Sequence, residues 1–349
     1  MGVIGMWNIL DENIEKWGIF KSVDISRFFK GKKIMITGAT GLIGQALVNT
    51  FIEMNKIWNL EMKVYCVVRN LQKAEKLWGA ESEKIIYIKK DFIKDDLNSE
   101  EKVDYILHTV SVTDSCSFVN RPVETILTGL EGINNVLNFA YKNKVSSIVF
   151  LSSMEVYGKG FGFNEIDENM IGALNPLEER NSYPIMKIMS ENLCRSYYKE
   201  YGVDVKIARL SQTFGPGVEY NDGRVFMEFA RCAIEKRNII LNTDGKSERM
   251  YLYTYDAVEA LLYILLKGKA GQAYNVGNKN TYCSICEMAN LVKNQIADNQ
   301  IDIIVDKKEN IKYMKEHHFK LNIEKIEKLG WKPRYDMYDM YKRMIDFFM

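Results

Sequence analysis

Several functional classes are excluded by what the chain has little of. Only 5 of its 349 residues are proline, and 47% are hydrophobic and 27% charged, which excludes a disordered or low-complexity polymer. Neither sign of charge is in excess. Lys and Arg number 47 against 46 Asp and Glu, a net charge of +1, so no global field recommends nucleic acid or an anionic membrane as a partner. No apolar stretch approaches the ~20 residues needed to span a bilayer. The first residues lack a basic region followed by an apolar run, so the expected location is the reducing cytoplasm. The six cysteines, Cys66, Cys116, Cys194, Cys232, Cys283 and Cys286, are scattered and mostly lie in apolar segments, as reduced core thiols do. Cys283-Ser284-Ile285-Cys286 has CxxC spacing, but no second pair follows and His317 and His318 lie far downstream. Its simplest reading is the first turn of a helix running through Ala289 and Leu291, and no metal site is expected.

What is present is a strand-helix rhythm. Trp7, Leu10, Ile14, Trp17 and Phe20 fall at roughly helical spacing and predict an amphipathic extension over residues 1–30. Short apolar strands are then expected at 33–37, 64–68, 85–88, 105–108, 148–151 and 205–210. Helices are expected at 42–53, 71–77, 123–141 and 190–201. Strands apolar on both faces, alternating with amphipathic helices, mean an α/β fold with a doubly wound parallel sheet of Rossmann type. Beyond Gly215-Pro216-Gly217 the rhythm loosens, with helices expected at 225–235, 257–266, 323–329 and 338–348. The expected division is a dinucleotide-binding domain over 31–213, with 247–275 returning to it, and a smaller substrate lobe from 214–246 and 276–349.

Gly38-Ala39-Thr40-Gly41-Leu42-Ile43-Gly44 follows the first strand and opens the first helix. A phosphate needs bare backbone N–H groups at a helix start, and glycine permits the tight turn and close approach of a pyrophosphate. The GxxGxxG spacing resembles that of the short-chain dehydrogenase/reductase family, and further stretches extend the likeness to its nucleotide-sugar branch. Leu151-Ser152-Ser153-Met154-Glu155-Val156-Tyr157-Gly158 looks like the family's strand-end serine motif, and Tyr183-Pro184-Ile185-Met186-Lys187 supplies its YxxxK. Residues 122–137 resemble its fourth helix, and the run from Arg209 to Gly215-Pro216 its RxxNxxGP segment. Arg249-Met250-Tyr251-Leu252-Tyr253 with Asp256-Ala257 is similar to RDFxxVxDxA, and Leu329-Gly330-Trp331-Lys332-Pro333 to LGWxP.

The chemistry of the centre follows from the residues themselves. Tyr183 and Lys187 lie one helical turn apart, so an ammonium beside the phenol is expected to lower its pKa from about 10 toward neutrality. Ser153 can hold a sugar hydroxyl while Tyr183 takes its proton and the carbon hydride passes to nicotinamide. Glu155 discriminates among reactions. By resemblance, dTDP-glucose-type dehydratases carry Thr-Asp-Glu where this chain has Ser153-Met154-Glu155, so their Asp proton donor is missing. Galactose-type epimerases carry no carboxylate there. GDP-mannose dehydratases and UDP-glucuronate decarboxylases keep the glutamate. Glu155 is therefore either a carbon base serving elimination, inversion or decarboxylation, or a hydrogen-bonded bystander.

The resemblance implies cofactor contacts at Gly38, Thr40, Gly41, Leu42, Ile43, Gly44, Asp91, Phe92 and Val110, besides Tyr183 and Lys187. At Arg69, where NAD-preferring relatives usually place an acid, a guanidinium suits a 2′-phosphate, so the cofactor is NADP or NAD with Arg69 favouring NADP. The alternative for Arg69 is a plain surface position. His108-Thr109-Val110-Ser111 replaces the usual HxAA, and Gly129 stands where the family's helix carries Asn. Arg249 resembles the arginine that contacts a substrate diphosphate, and Gln212 replaces the Asn of RxxNxxGP, which adds Gln212 to the expected substrate contacts alongside Ser153. The expected protein is a nucleotide-sugar epimerase acting on a nucleotide-diphosphate sugar, with a 4,6-dehydratase or UDP-glucuronate decarboxylase as alternative. A non-catalytic NAD(P)-binding redox sensor is the rival of a different class. A homodimer is expected through the helices over 123–141 and 183–201.

Overall fold

The structure, a computed structural model, describes residues 14, 17–97, 102–112, 115–160, 165–307 and 317–349. Its frame is a seven-stranded sheet built from β1 (Lys33–Thr37), β2 (Lys63–Val68), β3 (Ile85–Lys89), β4 (Tyr105–His108), β5 (Ser147–Ser153), β6 (Val205–Leu210) and β7 (Ala273–Val276). The spatial order is β7-β6-β5-β4-β1-β2-β3, and every pairing is parallel. The central strands have no polar face: Ile34, Met35 and Ile36 of β1 and Ile148, Val149 and Phe150 of β5 are all buried. Such strands are stable only with helices on both sides, which is the doubly wound Rossmann arrangement.

Those covers are α1 (Leu42–Trp58), α2 (Leu71–Trp78), α3 (Pro122–Asn143), α4 (Ser182–Tyr201) and, after α5 (Val225–Glu235), which packs on the carboxy-terminal helix Met337–Asp346, also α6 (Thr254–Lys267). The last, α6, is buried almost throughout and packs against α1 and the sheet, as its nearly unbroken apolar sequence dictates. The run preceding β1 forms short helices at Gly18–Ser22 and Ile25–Phe29. Trp17 and Ile19 are fully buried, and the Ile19 N–H donates to Glu259 on α6 at 3.1 Å. Trp7 and Leu10, placed by their spacing on the same amphipathic extension, lie outside the described residues.

A second, four-stranded sheet joins Cys283–Ser284, Glu248–Arg249, His318–Leu321 and Glu165–Ile166 in that order. Residues distant in sequence thereby meet in one small sheet. Ser284 caps the helix Ile285–Leu291 with a full capping box to Glu287, so the CxxC run is indeed a strand end and a first helical turn. Among the described residues no cluster of His, Cys, Asp and Glu could hold a metal ion.

Candidate active site

The chain crosses from β1 to α1 in a turn where glycine is required twice. Gly38 has φ +69°, and a Cβ there would lie 2.9 Å from Thr109 Oγ1 and 3.1 Å from the Val110 nitrogen. A Cβ on Gly44 would fall inside contact distance of the Gly38 carbonyl oxygen and 2.8 Å from the Ala39 Cα. The first helical turn therefore rests directly on the strand end, with the N–H groups at the start of α1 facing outward, a cradle suited to a pyrophosphate. Gly41 is the N-cap of α1, and the Thr40 carbonyl accepts from Gln45 Nε2 at 2.8 Å, which fixes the turn. Leu42 and Ile43 are half-buried at the helix start.

The neighbouring strand ends gather the other expected contacts along the same edge. Arg69 is exposed just past β2, where Asn70 caps α2 by accepting from the Lys73 N–H at 3.1 Å. Asp91 follows β3 and shapes its own turn, its Oδ1 accepting from the Ile93 N–H at 3.2 Å. The Phe92 ring is buried and meets His108 edge-on at 6.1 Å. Val110 follows β4. The strand order reverses between β1 and β4, and this is the crevice in which open parallel sheets bind ligands.

Ser153 ends β5 and its hydroxyl accepts from the Glu155 N–H at 3.2 Å, capping the 3₁₀ turn Met154–Tyr157. Tyr183, in the first turn of α4, is only 7% exposed, and the Ser153 hydroxyl is near enough to act on its phenol. One turn later, Lys187 donates from Nζ to the Leu151 carbonyl at 2.7 Å, 4.7 Å from the Phe150 ring centroid and 5.8 Å from that of Tyr183. Two separate stretches of sequence thus bring Ser153, Glu155, Tyr183 and Lys187 together.

The electrostatics differ from the sequence expectation. Burial pushes the Tyr183 phenol up rather than down, and the Glu155 carboxylate adds to this, while Ser153, Arg180 and Arg224 act in the opposite sense. The cause lies partly in Lys187, whose own pKa burial lowers from 10.5 to about 7. An ammonium turned toward Leu151 and half-discharged at neutrality does not offset the desolvation of the phenol. His108, fully buried with Nδ1 2.7 Å from Thr37 Oγ1, is held down at about 3 by burial and by Lys187, so its ring is neutral.

Residues that no motif announced complete the surroundings. Phe118 stacks on Tyr183 with centroids 4.5 Å apart and planes 8° from parallel. Arg180 donates from Nη1 to Glu155 Oε2 at 3.1 Å and lies 5.0 Å from the Phe118 centroid. Arg224, whose charge also reaches Tyr183, grips Asp222 through Nε and Nη2 at 2.6–3.1 Å. Gly129 has a packing reason: Met186 occupies the space, its Cγ 2.8 Å from where a Cβ would lie.

Arg249 and Gln212 form a second group. Arg249 Nη1 donates to Gln212 Oε1 at 3.4 Å, and Nη2 lies 2.6 Å from His317 Nε2, while its buried Nε has no hydrogen-bond partner among the described residues. His317 was invisible as a site residue because its partner stands 68 positions earlier.

A glycine cradle at the switch point, with a serine, tyrosine and lysine converging at the end of β5, defines a dinucleotide-dependent class of enzyme acting on carbinol and carbonyl carbons. Residues 34–277 match the model of the NAD dependent epimerase/dehydratase family, and the chain belongs to that family. It is similar to the dTDP-D-glucose 4,6-dehydratase of Mus musculus, 28% identical over 332 residues that cover 91% of this chain and 88% of the relative. It is equally similar to UDP-glucuronic acid decarboxylase 6 of Arabidopsis thaliana, 28% identical over 88% of this chain and 87% of the relative. Among solved structures, an epimerase from Methanothermobacter thermautotrophicus superposes with a TM-score of 0.78 at 21% identity, covering 93% and 94% of the two chains. The relatives establish an NAD-dependent nucleotide-sugar enzyme, and their names span dehydratases, decarboxylases and epimerases. No helix among the described residues is long and apolar enough to cross a membrane.

Proposed function

We propose that the protein is a nucleotide-sugar epimerase that oxidises a sugar hydroxyl to a transient ketone and reduces it again. The observation that carries this reading is the convergence of Ser153, Tyr183 and Lys187 at the end of β5, where the Ser153 hydroxyl acts on the Tyr183 phenol and Lys187, one turn beyond, is anchored to the Leu151 carbonyl. A bound nicotinamide supplies the acceptor, and later the donor, for the hydrogen on the carbinol carbon. Ser153 holds the hydroxyl oxygen, Tyr183 takes its proton and afterwards returns one, and Lys187 supports the phenolate. Inversion at that carbon needs no further acid or base, only that the ketone turn its other face.

Gly38, Thr40, Gly41, Leu42, Ile43 and Gly44 are proposed to carry the pyrophosphate, Asp91 and Phe92 to flank the adenine, and Val110 to lie toward the nicotinamide. The exposed Arg69 guanidinium favours a 2′-phosphate and hence NADP. Arg249 with Gln212 is suited to the substrate diphosphate, a bidentate ligand of the kind guanidinium prefers. We assign 31–213 and 247–275 to cofactor binding and the remaining carboxy-terminal segments to the substrate. We further propose a cytoplasmic homodimer. Val123, Leu127 and Tyr141 of α3 and Ile188, Met189 and Tyr201 of α4 are exposed apolar residues that a second copy would cover.

Glu155 supports a second reading. Its carboxylate acts on Tyr183 and is gripped by Arg180, so a base stands close to where a ketone would form. Such a base serves elimination or decarboxylation, although Met154, buried and without a proton to give, cannot replace the aspartate of dTDP-glucose-type dehydratases. Incubation with a panel of nucleotide sugars in D₂O separates the readings. Epimerisation at the oxidised carbon gives product of unchanged mass with no solvent deuterium on carbon. Loss of water or carbon dioxide, or deuterium next to the ketone, would replace it by the second reading. Bound cofactor without turnover of any nucleotide sugar would favour a redox sensor and refute both.

A further inference from the structure

The YxxxK lysine does not sit alone on its helix. Glu191 follows Lys187 by one turn of α4, on the same face, and both side chains are buried, at 8% and 3% exposure. The Glu191 carboxylate is fixed from two strands. Its Oε1 accepts from Ser152 Oγ at 2.6 Å, and Arg209 of β6 grips it through Nε at 3.0 and 3.2 Å and through Nη2 at 2.6 Å. Arg209 is itself held, donating through Nη1 to the Tyr157 hydroxyl and to the Glu168 carbonyl, both at 3.0 Å. A purely structural ion pair would need no lysine beside it. Here the carboxylate lies one helical turn beyond an ammonium whose other neighbours are the Phe150 and Tyr183 rings, the Leu151 carbonyl and the neutral His108.

We infer that Glu191 is a positioning residue of the site, whose fixed negative charge favours the ammonium form of Lys187 behind Tyr183, with Arg209 and Ser152 holding that charge in place. The inference rests on the reading that Lys187 serves Tyr183. The charged and titratable groups that act on or face Lys187 are Tyr183, Glu191 and Cys194 on its own helix and His108 on β4. Among these Glu191 gives the largest support to the ammonium, opposing the burial that discharges it. Cys194 acts in the same direction and more weakly, and its own thiol is pushed well up by burial.

The test is a pH titration of the Lys187 Nζ signal in the full-length, cofactor-free protein labelled with ¹⁵N-lysine, assigned by its absence from Lys187→Met. Glu191→Gln keeps the shape and an oxygen acceptor but removes the charge. The Lys187 titration should move down by about 1–3 pH units, the span that an opposite charge at close range accounts for. Ser152→Ala removes one hydrogen bond while leaving the charge, and its midpoint should stay within about half a pH unit of wild type. An unmoved midpoint in Glu191→Gln, or an equal movement in Ser152→Ala, would overturn the inference in favour of a structural pair. Should Glu191→Gln not fold, Glu191→Asp, which retains the charge but withdraws it, must give a smaller movement in the same direction, and no movement overturns the inference. Turnover is read separately. A moved midpoint with full activity in Lys187→Met would sink the catalytic reading and with it the positioning role, leaving only the electrostatic coupling of Glu191 to Lys187.

Discussion

Replacing Lys187 by Met should stabilise the fold, by an amount that depends on pH. Burial lowers the Lys187 pKa from 10.5 to about 7, against the support of Glu191. At about 1.4 kcal/mol per pH unit, the charged form is disfavoured by on the order of 4–5 kcal/mol. In the unfolded chain the amine stays charged up to about pH 10.4. Between about pH 7 and 10, therefore, the unfolded state binds the extra proton, and wild-type stability rises with pH. Below about pH 7 both states are charged and the whole penalty is present; above about pH 10 it is gone. Met carries none of it. The advantage of Lys187→Met should be largest near pH 6 and shrink by about 2–3 kcal/mol on going to pH 9. Loss of the 2.7 Å bond to the Leu151 carbonyl subtracts about 1–3 kcal/mol at every pH, which moves the offset and not the slope. Urea denaturation of both proteins without cofactor, at several pH values across this range, reads the difference directly. A difference that is flat with pH, or that grows as pH rises, would refute the placement of a buried, depressed lysine.

Further outcomes follow from other parts of the site. Gly44→Ala should cost about 1–3 kcal/mol or more in a urea melt and weaken cofactor binding, because the new methyl meets the Gly38 and Ala39 backbone; wild-type stability and affinity would contradict the cradle. If Arg69 grips a 2′-phosphate, calorimetry should show NADP(H) binding more tightly than NAD(H), and Arg69→Asp should reverse the order. Equal or tighter wild-type binding of NAD(H) would remove Arg69 from the site. Glu155→Gln should leave turnover within a few-fold of wild type if the reaction is simple epimerisation, whereas a stall after oxidation would make Glu155 the carbon base.

The frame was legible in the sequence because its strands are short apolar runs with helices of clear period between them. The strands at 33–37, 105–108 and 205–210 have the expected bounds, and the helix at 225–235 does as well. Helix α4 starts at Ser182, so that Tyr183 and Lys187 share it as their one-turn spacing and the dimer helix over 183–201 anticipate, although the segment expected at 190–201 begins later. Its first turn contains Pro184, which reads as a break, yet in a first turn the missing N–H is one that would have no helical partner anyway. Helix α1 runs beyond Glu53 to Trp58, because Asn59 in the left-handed region closes it and the Asn55 amide clamps Met62 at 2.8 and 2.9 Å. Glycines and the YxxxK spacing identify themselves through what only they can do. Arg180, Phe118 and His317 do not, since each gains its place from a partner brought by the fold. The direction of the Tyr183 pKa was misjudged for a related reason. Spacing reports that an ammonium is near, and says nothing of how deeply phenol and ammonium are buried together.

The most direct measurement follows a deuterium label on the carbinol carbon at which the protein inverts its nucleotide sugar. Oxidation and return at that one carbon should give a product that keeps the deuterium there, inverted and of unchanged mass, seen by NMR and mass spectrometry. Tyr183→Phe should fold and bind cofactor yet form that product about 10²–10⁴-fold more slowly. Inverted product whose label has been lost to solvent, or a Tyr183→Phe variant of near-normal turnover, would contradict it.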